Sequence, residues 1–234
     1  MRDSQFFSRG TAKYQRGKSS PSNKGKTFLI VTEGEKTEPN YLNAIKDRLR
    51  LSTIDVQIIH PSQTDPLSLT KSAIALRDKR KKEIAKGSDK VPYDEVWVVF
   101  DLETLDSAHR QKANEAKKLT AINTINFAVS DPSFEYWLLL HEEYTTAPFQ
   151  DAAQVEQYLK SKTSLKNYSK GKWLPSTEFL DKTPIAVKNA GKCRAYHKSS
   201  NSINPMTTVD NLICCLNNST RQHYQFNLPI SSYL

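Results

Sequence analysis

The sequence predicts an α/β protein: a parallel four-stranded sheet flanked by helices, with a mainly helical C-terminal extension. Three observations predict it. Short apolar, β-branched runs alternate with helical patterns four times between residues 27 and 145, and such alternation implies a parallel sheet with helices on both faces. The clearest runs are apolar throughout, as strands buried on both faces are. The first and third runs also end in carboxylates, "VTEGEKTE" (31–38) and "FDLETLD" (100–106), where the ligand crevice of such a sheet opens beyond its strand ends.

"TFLIVT" (27–32) is the first strand. Thr37 reads as the N-cap of the next helix, with Pro39 in its first turn, and Tyr41, Leu42, Ile45 and Leu49 form its apolar stripe. "IDVQIIH" (54–60) is the second strand, and "SLTKSAIALRDKRKKEIAKG" (68–87) a helix with a very basic end, stopped by Gly87. "DEVWVVFD" (94–101) is the third strand, followed by a polar helix over 107–121. "INFAVS" (125–130) is the fourth, and "DPSFEYWLLLHEEY" (131–144) a helix with Asp131 as cap and Pro132 at its first position. Beyond it, 151–161 and 207–217 have helical spacing and flank a Pro-interrupted helix, "TEFLDKTPIAVKNAGKCRAYHKS". The chain thus divides into a basic tail (1–26), a core (27–145) and a helical extension (146–234).

Of the net charge of +9, +6 lies in residues 1–26, where seven basic residues face the single acid Asp3. The Ser, Pro and Gly of "KSSPSNKGK" predict disorder there. Such a tail either touches nucleic acid or serves solubility. The longest apolar runs, such as "YWLLL" (136–140), are too short to cross a bilayer, and no secretory signal is read at the N-terminus. Cys193, Cys214 and Cys215 form no Cys-x-x-Cys pair, which argues against structural zinc and a disulfide framework and fits a reducing cytoplasm. No P-loop motif occurs, so any ATP-driven step needs another chain. A topoisomerase or primase is disfavoured, since strand passage needs a tyrosine-bearing domain for which 234 residues leave little room.

The carboxylates carry the chemistry. Glu33, with Glu35 and Glu38 close behind, ends the first strand; Asp101, Glu103 and Asp106 end the third. Asp101 and Glu103 are two apart, so an extended segment points both to one side. Carboxylates at strand spacing repel one another and resist ionising. A hard divalent cation, Mg²⁺ or Mn²⁺, removes that conflict. Glu33 is then a metal ligand or a general base, and Gly34 allows a tight turn that clears the substrate's path. The helix from Thr37 offers its N–H groups as a phosphate seat, and Glu38 either competes for that end or complements the helix dipole. Asp106 reads as the cap of the next helix.

Other positions have two readings each. His141 lies on the stripe of Phe134, Trp137 and Leu138 and is either a core histidine or part of the site. Glu135 lies off that stripe and orients a ligand or pairs with a base. Lys71, Arg77, Lys79, Arg80, Lys81 and Lys82 make a solvated face or a phosphate path. "KNYSKGKW" (166–173) interleaves lysines with Tyr168 and Trp173, a pattern seen in single-strand binding.

A strand-end Glu-Gly followed by Asp-x-Asp is the pattern of the Toprim domain; here the pair is Asp101-Leu102-Glu103, with a Glu in second place. The chain resembles the RloB-like family, a Toprim-related group of bacterial defence loci, more closely still. The resemblance rests on "VTEGEKTEPNYL", "VWVVFDLE" and "SDPSFEYWLLLHEE", where the family usually has Asn at the position of Asp131, and on weaker marks at "NYSKG" and "NPMTTVDNLI". It implies a Toprim-like, Mg²⁺- or Mn²⁺-dependent nuclease in cytoplasmic anti-phage defence or abortive infection, working beside an ATPase subunit. RNA, transfer RNA first, is favoured over DNA by analogy with related defence proteins. Glu33, Asp101 and Glu103 are the expected catalytic and metal-binding residues. Gly34, Glu38, Glu135, His141 and Lys170 are supporting positions, Lys170 by its family position. The alternative is a non-catalytic Toprim-like sensor or binding module of an ATPase-containing defence complex. No membrane partner is expected, and a homo-oligomer is left open.

Overall fold

Strand β1 (Phe28–Thr32) buries all five of its residues in the computed structural model, which describes residues 26–51, 54–58, 64–103, 107–200 and 203–229. Phe28 and Ile30 enter one core, Leu29 and Val31 a second. With β2 at Ile54–Ile58, β3 (Glu95–Asp101) divides in the same way: Trp97 and Val99 against Val96, Val98 and Phe100. The period-two pleat sends alternate residues to opposite faces, so an unbroken apolar run requires cover on both.

That cover is unequal. Helices α2 (Pro66–Ala85) and α3 (Ser107–Asn123) supply Leu69, Ala73 and Ala113 to the core on one face. The other face is packed by α1 (Thr37–Arg48), α4 (Phe134–Leu139), α5 (Ala152–Lys162), α6 (Thr177–Leu180), α7 (Thr183–Ser200) and α8 (Val209–Asn218). Among the described residues, no helix is long and apolar enough to cross a membrane.

With β4 at Asn126–Asp131 and β5 at Met206–Thr207, the sheet order is β2–β1–β3–β4–β5. The first four strands are parallel, as expected, and β5 adds an antiparallel fifth at the β4 edge. Two residues carry no periodicity, so β5 has no signal in the sequence. The chain leaves β1 for β2 through α1 on one face and returns to β3 through α2 on the other. The winding reverses between β1 and β3, which makes their carboxyl ends the switch point where open α/β sheets bind ligands.

Several element ends differ from expectation. Lys36, not Thr37, is the N-cap of α1, and the Thr37 hydroxyl instead accepts the Gly171 N–H at 3.2 Å. The other end of α1 closes without glycine: Arg50, at φ +51°, donates to Asp47 O, and Leu51 donates to Lys46 O. Helix α2 begins at Pro66, because Asp65 caps it by accepting the Ser68 N–H at 3.2 Å. Gly87, at φ +92°, follows its C-cap as predicted. Asp131 does not cap α4; it is the last residue of β4, paired with Met206, and Ser133 is the N-cap. Pro132 therefore precedes the helix, which is six residues long rather than spanning 131–144. Asp106, residues 59–60 of the second predicted strand and the tail up to residue 25 lie outside the described residues.

Candidate functional site

Glu33 continues the ladder beyond β1, its N–H donating to Val99 O at 3.0 Å. Its carboxylate turns across the strand gap and accepts the Asp101 N–H at 2.9 Å. Glu33 and Asp101 are therefore immediate neighbours at the switch point. The Asp101 carbonyl in turn accepts a hydrogen bond from His109 Nε2, 2.7 Å away in the first turn of α3. Sequence reasoning missed His109; its only signal is a place in the helix turn that follows a strand-end acid. Glu103 is exposed and has φ +45°. Left-handed backbone breaks the alternation that would have set Asp101 and Glu103 on one side of an extended segment.

Two further carboxylates join from the helices. Glu38, 5% exposed, folds back at the start of α1, where its own N–H and that of Gly34 are its backbone donors. A Cβ on Gly34 would lie 2.0 Å from Glu38 Oε2, so glycine here makes room for a carboxylate as well as for a turn. Glu135, 1% exposed in the first turn of α4, accepts the Tyr168 hydroxyl on Oε1 at 2.7 Å. Lys170 Nζ stands 3.8 Å from the same oxygen. Among the described residues, Glu135 Oε2 is buried with no hydrogen-bond partner. The segment carrying Tyr168 and Lys170 is tied to α1 by the Gly171 bond to Thr37 and by Asn40 Nδ2, which donates to Trp173 O at 3.1 Å. A cavity of about 320 Å³, lined by Gly34, Thr37, Glu38, Lys170 and Gly171 among others, opens beside the cluster.

Crowding governs the protonation of these groups. Burial raises the Glu33 carboxyl to about 7, against the Asp101 N–H and His109, which lower it; Glu103 and Glu38 add to the rise. Burial and Glu135 push Glu38 up, while the two backbone donors and Lys170 oppose the shift. Asp101 is held well above the usual carboxylate range by burial and then by Glu38, Glu135 and Glu33. For Lys170, burial alone would lower the pKa; Glu135, Asp101 and Glu38 overcome it and raise the value. Glu33, Glu38, Asp101, Glu135 and Lys170 thus act on one another as a single electrostatic unit.

The donor chemistry fits a hard divalent cation: carboxylate oxygens under mutual repulsion, one of them buried and orphaned. Their geometry is not a finished shell, since among the described residues no group of three His, Cys, Asp or Glu side chains forms a site ready to hold a metal. Glu33 instead serves the Asp101 N–H, and the Lys170 ammonium supplies the nearby positive charge.

The remaining positions sort by burial. His141 is 1% exposed, its Nδ1 bonded to Trp137 O at 3.0 Å and its Nε2 to the Tyr41 hydroxyl at 3.1 Å. Tyr168 is 2% exposed, and the Trp173 ring lies edge-on to Phe179, so both aromatics of "KNYSKGKW" pack inward. On α2, Arg80 stacks over Tyr93 and Arg77 binds Asp78 and Asn123, while Lys71, Lys79, Lys81 and Lys82 are exposed.

No curated protein and no solved structure matches the chain. The family described as RloB-like protein matches over residues 28–216. That span contains the switch point, all four clustered carboxylates and Lys170, and the chain belongs to the RloB-like family.

Proposed function

We propose that this protein is a Toprim-like, metal-dependent nuclease acting in anti-phage defence under the control of an ATPase partner. The observation that carries the proposal is the gathering of Glu33, Glu38, Asp101 and Glu135 with Lys170 at the β1/β3 switch point. Glu33 and Asp101 would hold Mg²⁺ or Mn²⁺, with Glu103 and Glu135 next in reach. When bound, the metal supplies polarisation of a phosphate and a water of lowered pKa. Glu33, where it does not ligate the metal, would take the proton of an attacking water. Lys170 remains charged and would steady the negative charge that grows on the phosphate oxygens. The defence role, the ATPase companion and the preference for RNA rest on the family resemblance.

The test is expression of the chain with its ATPase partner during phage challenge, followed by sequencing of RNA ends and mapping of chromosomal breaks. Cleavage is expected with wild type and absent with Glu33→Gln. One observation favours a second reading, a non-catalytic binding module: the Lys170 ammonium already offsets the carboxylates. Equal protection by wild type and Glu33→Gln, with RNA and DNA intact, would establish that reading in place of the nuclease.

A further inference from the structure

We propose that Tyr168 is a positioning residue: its hydroxyl fixes Glu135 so that one carboxylate oxygen stays bare toward the acidic cluster as a donor for a hard divalent cation. The inference deepens the metal-site reading above and rests on it.

The Gly171 N–H can only donate, and it donates to Thr37 Oγ1, which ties the segment that carries Tyr168 to α1. The Tyr168 proton goes to Glu135 Oε1 at 2.7 Å, since a carboxylate only accepts. The two bonds, Gly171 to Thr37 and Tyr168 to Glu135, form a chain of contacts across the segment. Thr37, Tyr168 and Glu135 are 3%, 2% and 1% exposed, so solvent scarcely competes for these bonds. The chain joins α1, α4 and the segment between α5 and α6, elements that share no local sequence.

Its consequence falls on one atom. The Tyr168 hydroxyl and the Lys170 ammonium both gather on Oε1. Among the described residues, Oε2 is buried without a partner. A buried carboxylate oxygen left without a donor is destabilising and calls for an explanation such as an unfilled ion site. Glu135 acts electrostatically on Glu38 and Asp101, which places its carboxylate beside the other oxygen donors. Rotation of Glu135 to pair Oε2 elsewhere would break the Tyr168 bond, so the tyrosine holds the oxygen available.

The experiment uses the full chain, titrated calorimetrically with Mn²⁺ at neutral pH. Tyr168→Phe removes the hydroxyl and keeps the ring. It should bind Mn²⁺ about tenfold more weakly, as loss of an outer-shell partner does. Glu135→Gln should weaken binding further, and Tyr168→Phe added to Glu135→Gln should change nothing more, because the hydroxyl acts only through that carboxylate. A merely structural tyrosine would not give this non-additivity. Wild-type affinity in Tyr168→Phe, or full additivity in the double variant, overturns the inference alone. Failure of wild type to bind Mn²⁺ overturns the metal-site reading and this inference together.

Discussion

Acid should unfold this protein partly through His141. The imidazole is buried, and burial pushes its pKa from the ordinary 6.5 down to about 3 against the Trp137 carbonyl and Glu142, which raise it. The Trp137 carbonyl only accepts, so Nδ1 carries the proton and Nε2 accepts the Tyr41 hydroxyl. Protonation would put a second donor against a hydroxyl that already donates. The sign follows from linkage: between pH 6.5 and about 3 the unfolded state binds a proton that the folded state refuses, so stability falls as pH falls. At roughly 1.4 kcal/mol per pH unit, lowering the pH to about 4.5 removes on the order of 2–3 kcal/mol. In His141→Gln that loss is absent, although the variant starts lower by about 1–3 kcal/mol from the lost ring contacts. Those contacts are a stack on Phe179 at 4.4 Å and an edge contact with Trp137 at 4.9 Å. Urea unfolding followed by tryptophan fluorescence, at pH ~7.5 and ~4.5 for both proteins, isolates the effect, since other titrations largely cancel in the comparison. Equal losses of stability between the two pH values would refute the assignment of a neutral, buried His141.

Two further outcomes bear on the carboxylate cluster. Gly34→Ala should lower the melting temperature, since the added Cβ meets the Glu38 carboxylate, which is buried and held by two backbone donors; the displaced carboxylate should also weaken Mn²⁺ binding about tenfold by calorimetry. Glu33, with a folded pKa of about 7 against an ordinary 4.5, stabilises the metal-free fold below pH 4.5 and loses that contribution as pH rises through 7. A cation that binds the ionised form should therefore raise the melting temperature more at pH ~8 than at pH ~5.5, as scanning fluorimetry with and without Mn²⁺ would show.

The residues themselves determined most of the sheet. Continuous apolar runs must be covered on both faces, which is why β1, β3 and the alternating order were legible from Phe28–Thr32 and Glu95–Asp101. The sequence set Glu33 and Asp101 at carboxyl ends of parallel strands, but that those strands are neighbours was decided by the sheet order. Tertiary structure alone decided the rest. Strand β5 exists only because Asp131 and Ser130 offer it an edge, and the same pairing keeps Asp131 out of α4. Thr37 looked like a cap from local sequence, yet its hydroxyl serves Gly171, 134 residues away. Tyr168 and Lys170 were readable as a basic–aromatic stretch, and only packing turns the ring inward and sets both groups on Glu135. Propensity and period act over a few residues, whereas these choices depend on which donor meets which acceptor across distant segments. A sequence window carries no record of such meetings, and burial makes them binding by removing water as the alternative partner.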